Sequence, residues 1–105
     1  MSEINGALSG LKIVACSTAQ AGTVPYMLMA DLGAEVIKIE TPGKGDNNRN
    51  SGFLEGEIGS FFETNNRGVK SLTLNLKSEK GQKILHSLIK DADVFGQNFR
   101  PGVAE

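Results

Sequence analysis

The sequence has little of what most covalent and metal chemistry requires. Cysteine occurs once, at Cys16, and histidine once, at His86. A single cysteine rules out a disulfide within the chain and agrees with a reducing, cytoplasmic setting. One cysteine and one histidine fall short of the three or four ligands that a transition metal takes, so no metal site is expected. Tryptophan is absent. No apolar run approaches the roughly 18 to 20 residues that cross a bilayer, and Met1 to Gly10 is too polar for a secretory signal, so no membrane association is expected. Neither sign of charge dominates: 11 basic residues against 12 acidic ones leave a formal charge of −1. That balance argues against a general affinity for nucleic acid and leaves a local phosphate site open. Glycine signatures for nucleotides are missing too. The loop Ser17 to Gly22 has one glycine where G-x-G-x-x-G needs three, and no G-x-x-x-x-G-K-[ST] occurs, which argues against NAD, FAD and Walker-type nucleotide binding.

What is present is organised around Leu11 to Glu40, LKIVACSTAQAGTVPYMLMADLGAEVIKIE. Leu11, Ile13, Val14 and Ala15 predict a strand buried on both faces of a parallel sheet. Thr23 is the expected N-cap of a helix with Pro25 in its first turn, where a missing N–H costs nothing. Val24, Leu28 and Leu32, with Met27 and Ala30 or Ala34 beside them, predict its apolar stripe, and Gly33 its left-handed C-cap. Val36, Ile37 and Ile39 predict a second strand. Strands joined in this way run parallel with a right-handed crossover, which puts the Ser17 to Gly22 loop on the ligand-binding edge of the sheet.

The 105 residues suffice for one domain, read as an arm over 1–10 and an α/β region over 11–105. Thr41 to Gly59 is rich in Gly, Asn and Asp and predicts a long loop, followed by a helical turn over Ser60 to Asn65. Lys70 to Lys77 alternates Leu72, Leu74 and Leu76 with polar residues and predicts a strand. Ser78 is the expected N-cap of a second helix, with Ile84, Leu85, Leu88 and Ile89 facing in and Lys80, Lys83, His86 and Lys90 facing out. Asp93 to Asn98 predicts a last strand, ended by the turn Phe99-Arg100-Pro101-Gly102. The fold class is therefore α/β, a Rossmann-like open parallel sheet with flanking helices.

No pair of carboxylates has a spacing that forces the two together, and Cys16 reads as core packing, so no catalytic residue is assigned. Glu40, at the end of the second strand, reads as a solvated acid. Arg67, Lys70 and Lys77 read as a charged rim about the third strand. Two stretches at strand ends remain, Ala19 to Gly22 and Asn98 to Gly102. Arg100 can clamp a phosphate, Phe99 can stack on an adenine, and Gln20 or Asn98 can bond an amide or a base. The alternative is that Pro101-Gly102 simply turns the chain and leaves Arg100 exposed.

These stretches resemble the family III CoA-transferases, the CaiB/BaiF type that also includes α-methylacyl-CoA racemase. The likeness runs through LSGLKIVACS, Ala19 to Gly22, Ala30 to Glu40, Pro42-Gly43 with Gly45-Asp46, Asn66-Arg67-Gly68, Ser71 to Lys77, Gly81, Ala92-Asp93-Val94 and Asn98 to Val103. The resemblance implies a truncated Rossmann-like region that binds CoA or acyl-CoA as ligand or substrate, with no covalently bound cofactor. It also implies much longer proteins that transfer CoA between carboxylic acids and form interlocked homodimers. By position it implies that Gln20 and Ala21 line the active-site end of the pocket. Thr41, the stretch Leu74, Asn75, Leu76 and Lys77, and the stretch Asn98, Phe99 and Arg100 are then implied to contact CoA. Thr41 stands where many members have a basic residue, Val69 where a lysine is frequent, and Asn75 where aspartate is usual. The aspartate nucleophile of the transferases and the acid/base pair of the racemases fall beyond Glu105. The expected function is a CoA-binding fragment without transferase activity of its own, forming a homo-oligomer or joining a missing C-terminal partner. Its alternatives are a non-catalytic interaction module and one part of a split transferase or racemase.

Overall fold

The computed structural model describes residues 6–16, 23–43, 45, 54–55, 58–59 and 66–98. The expected first strand forms as β1, Lys12–Cys16, with Ile13 to Cys16 all buried. Helix α1, Val24–Asp31, follows and returns the chain to β2, Glu35–Glu40, which pairs in parallel with β1. The turn between them depends on Gly33, whose φ of +105° is the left-handed conformation expected of a C-cap glycine. Its N–H donates to the Ala30 carbonyl at 3.0 Å, and the Ala34 N–H donates to Met29 at 3.1 Å.

Two sequence expectations for this unit are corrected. Thr23 occupies the N-cap position and is buried, but its side chain makes no capping bond. Leu28 and Leu32 are exposed, at 51% and 47%. The face of α1 that packs on the sheet instead carries Tyr26, Met29 and Ala30, which meet Ile13, Ala34 and Val36, while Met27 is buried beside it. Apolar residues surround this helix, so periodicity alone does not select a face. The stretch before β1 is also tied down: the Leu8 N–H donates to the Leu32 carbonyl at 2.9 Å, and Leu8 packs against the same core.

Within 41–59 the expected long loop contains a short antiparallel pair, β3 (Leu54–Glu55) and β4 (Ile58–Gly59). The helical turn expected over residues 60–65 falls outside the described residues. The third parallel strand, β5, covers Lys70–Thr73 and stops short of the expected Lys77. Asn75 ends it: its Oδ1 accepts the Lys77 N–H, and its carbonyl accepts both the N–H and the hydroxyl of Ser78. This side-chain turn competes with the sheet ladder for the same backbone groups. Ser78 then caps α2, Glu79–Lys90, by accepting the Gly81 N–H at 3.0 Å. Leu85 and Leu88 pack against the core as expected and His86 is exposed, but so is Ile84, at 42%. The last strand is β6, Val94–Gln97.

The four parallel strands stand in the order β5-β2-β1-β6. The chain winds outward from β1 through β2 to β5 and then returns to the other side of β1, as in the first four strands of a doubly wound sheet. One apolar cluster, Val14, Cys16, Ile39 and Leu74, lies under α2; the other, Ile13, Ala34 and Val36, lies under α1. The α/β Rossmann-like architecture read from the sequence is the one observed.

Candidate functional site

The strand order creates a switch point between β1 and β6, from which the chain leaves in opposite directions, and ligands of open α/β sheets bind outside the carboxyl ends of the strands at such a point. Cys16, the last residue of β1, is in register with Gln97, the last residue of β6. Residues 17–22 and the stretch from Asn98 onward therefore depart from neighbouring positions, about 4.8 Å apart across one strand spacing. Gln20, Ala21, Phe99 and Arg100 themselves lie outside the described residues. Thr41 follows the carboxyl end of β2, and Leu74 to Lys77 follow that of β5, so these two described stretches belong to the same edge. From β5 to β6 that edge is three strand spacings wide, roughly 14 Å. An elongated ligand would be needed to touch both ends.

The described residues differ in what they offer there. Thr41 is exposed, and its carbonyl accepts the Gly45 N–H at 3.1 Å around Gly43, whose φ is +86°. Leu74 is buried; its N–H donates to the Glu40 carbonyl and its side chain belongs to the core under α2. Leu76 packs partly on that core, and its carbonyl accepts a bond from Gln82. Asn75 and Lys77 are exposed, and Lys77 precedes the N-terminus of α2, so an ammonium and the positive end of a helix dipole lie close together in sequence. Asn98 is exposed at the end of β6.

Beneath this edge, on the α1 side of the sheet, lies a polar layer that the sequence reading missed. Lys38 and Glu40 are 3% and 4% exposed in the middle and at the end of β2. The Lys38 ammonium donates to Asn66 Oδ1 at 2.8 Å, and the Ser71 hydroxyl of β5 donates to the Glu40 carboxylate. Glu40 is thus not the solvated acid the sequence suggested. Burial of an ionised group requires such partners, since an unpaired one costs several kcal/mol or neutralises. The signal was present: charges at alternate positions of Val36-Ile37-Lys38-Ile39-Glu40 fall on one face of a strand. Arg67 and Lys70, read as a charged rim, are exposed and paired. Arg67 meets Asp31 through Nε at 3.1 Å and Nη2 at 2.5 Å, and Lys70 meets Glu35 at 3.3 Å. The Arg67 hydrogen bond holds the Asp31 carboxyl below its ordinary range.

Cys16 is 2% exposed, and burial pushes its thiol up to about 11, which is the opposite of an activated nucleophile. A cavity of about 150 Å³ sits at the other end of the sheet, between the starts of β1 and β2 and the end of α2, with Lys12, Glu35, Leu88 and Asp91 in its wall. None of the described candidate residues touches it. Among the described residues no three His, Cys, Asp or Glu side chains are grouped to hold a metal ion, and no helix is long and apolar enough to cross a membrane.

The chain is similar in sequence to known CoA-transferases. The chain is 41% identical over 99% of its length to an acyl-CoA transferase of Fusarium pseudograminearum, of which it covers 25%. It is 39% identical over 95% of its length to an acetyl-CoA:oxalate CoA-transferase of Acetobacter aceti, covering 26%, and 42% identical over 90% to the human succinyl-CoA:glutarate CoA-transferase, covering 22%. A crystal structure of a CaiB/BaiF family protein from Brucella suis superposes with a TM-score of 0.86 at 38% identity, over 94% of this chain and 27% of that one. The chain spans about a quarter of the length of these relatives. The sequence model of CoA-transferase family III matches residues 8–105, and with the sheet order and the gathered strand ends it assigns this chain to that family.

Proposed function

We propose that these residues form the CoA-binding wall of a family III acyl-CoA transferase and do not complete the transfer by themselves. The observation that carries this reading is the common edge: the stretches containing Gln20 and Ala21, Thr41, Leu74 to Lys77, and Asn98 to Arg100 follow the carboxyl ends of four parallel strands. An edge of that width suits a long, flexible, phosphate-bearing ligand. Lys77 and Arg100 supply charge for phosphates, Phe99 a stacking surface, and Asn75, Asn98 and Gln20 amide contacts. Covalent transfer also needs a nucleophile. The family aspartate that plays this part falls outside the 105 residues, so binding and chemistry are separable here. The relatives named for oxalate and for glutarate are similarly close to this chain, at 39% and 42% identity, which supports selection of the acid by residues outside this stretch. A buried, unpaired Cys16 supports a cytoplasmic setting.

Calorimetric titration of the 105-residue chain with CoA tests the reading. Binding is expected, with a loss of about tenfold or more in affinity for Arg100→Ala, as for one charge-assisted hydrogen bond. No heat at millimolar CoA overturns it. Turnover of an acyl-CoA by the purified chain overturns the separation of binding from chemistry. A second role, as an interaction module, is favoured by the apolar surface at Leu28, Leu32, Val94 and Phe95.

A further inference from the structure

Tyr26 is the only tyrosine of the chain and stands in the first turn of α1. Its ring packs with the layer of Ile13, Ala34 and Val36, and its hydroxyl reaches β6, where it fills the space that a Cβ at Gly96 would take. Gly96 is in register with Ala15, one residue before Cys16 and Gln97 end the two strands. The hydroxyl therefore lies about one strand residue, roughly 3.3 Å, inside the ligand edge, at the switch point between β1 and β6. Side chains of a helix lean toward its N-terminus, and α1 begins at the carboxyl end of β1, so Tyr26 leans toward that edge. Among the described residues the hydroxyl has no hydrogen-bond partner, and no fully buried polar side-chain atom is left without one. On a half-buried residue the hydroxyl is thus open to solvent.

We propose that Tyr26 is a further ligand-contacting residue, whose hydroxyl donates a hydrogen bond to a carbonyl oxygen of the pantetheine arm of CoA or acyl-CoA. This rests on reading the chain as a CoA-binding wall, and it adds to that wall a residue from the α1 side of the sheet. The chemistry selects the arm. Phosphates are met by Arg, Lys or helix N-terminal N–H groups, whereas a phenol is neutral, donates one hydrogen and suits an amide or thioester carbonyl. Gly96 makes the placement possible, since any side chain there would displace the hydroxyl from the switch point. A ring that merely fills the space over Gly96 would be served equally well by phenylalanine, which separates the two roles.

The test is titration of the unmutated chain and of Tyr26→Phe with CoA, with acetyl-CoA and with the adenosine bisphosphate half of CoA, which lacks the arm. Tyr26→Phe is expected to lose about three- to tenfold in affinity, as for one neutral hydrogen bond, and to bind the adenosine bisphosphate as the unmutated chain does. A loss with both CoA and acetyl-CoA places the bond at an amide of the arm, and a loss with acetyl-CoA alone places it at the thioester. Equal affinities of the two chains for CoA and acetyl-CoA overturn the proposal and leave the CoA-binding wall standing. A loss that extends to the adenosine bisphosphate also overturns it. No binding of CoA by the unmutated chain overturns the wall and this contact together. A second readout needs no variant: with one tyrosine and no tryptophan, emission from the unmutated chain reports Tyr26. That emission should change with CoA and not with the adenosine bisphosphate, and an emission unmoved by saturating CoA overturns the proposal even if Tyr26→Phe fails to fold.

Discussion

At the scale of single residues, Cys16 and Glu40 carry the clearest consequences of burial. Desolvation raises the Cys16 thiol from its ordinary 9.0 to about 11, so the folded chain favours the protonated form. The associated stability is fully present below pH 9 and is lost as pH rises toward 11. Urea midpoints between pH 8 and 11 should therefore fall more steeply for the natural chain than for Cys16→Ala. At pH 8 the thiolate fraction should be about a hundredfold below that of the unfolded chain, and thiol labelling should slow at least in proportion. Glu40 depends on a donor from the next strand. Ser71→Ala removes a hydrogen bond to a buried carboxylate and should cost about 1.5–3 kcal/mol in chemical denaturation. A loss below 0.5 kcal/mol would mean that other groups satisfy Glu40 equally well. The burial of Cys16 was legible from its place at the end of an apolar strand. That of Glu40 was not, because its partner is 31 positions away.

At the scale of elements, two glycines set how closely neighbouring segments approach. A Cβ at Gly81, in the first turn of α2, would lie 2.0 Å from the Asn75 carbonyl oxygen and 2.8 Å from its carbon. Both are backbone atoms of the turn that ends β5. At Gly96 a Cβ would lie 1.6 Å from the Tyr26 hydroxyl and 2.6 Å from the ring carbon bearing it, where α1 leans over β6. A side chain can swing away, and a hydrogen-bonded turn cannot do so cheaply. Gly81→Ala is therefore expected to cost more than Gly96→Ala, with overpacking on the order of 1–3 kcal/mol as the scale. Tyr26→Phe should recover part of the loss at Gly96 and none at Gly81. Comparison of the four variants by thermal unfolding checks both statements, and equal costs at the two glycines would contradict them. The same Tyr26 contact helps explain why α1 turns its 26–29–30 face to the sheet and leaves Leu28 and Leu32 outward.

At the scale of the whole molecule, the chain holds a four-stranded sheet with one apolar layer under α1 and another under α2. A domain of this size has little stability in reserve, so a ligand that binds only the folded form should be conspicuous. CoA at a hundred times its Kd would add about 2.7 kcal/mol and raise the melting temperature by on the order of 10 °C. No shift at saturating CoA would agree with an absent site and contradict the proposed wall.

The sequence by itself determined the alternation of strand and helix, the turn at Gly33, the capping of α2 by Ser78 and the inward stripe at Leu85 and Leu88. These are local matters, set by side-chain period and by the φ angles that single residues tolerate. That the carboxyl ends of successive strands share one edge was legible on the same terms, because a β-α-β order makes those strands parallel. The tertiary structure alone decided that β6 lies beside β1, which face of α1 is buried, that Asn75 stops β5, and that Lys38 and Glu40 find Asn66 and Ser71. Each of these but the halt at Asn75 is a pairing between residues distant in the chain, and that halt is a contest between a side chain and a sheet ladder. Their energies exist only once the partners have been brought together, so no local pattern contains them.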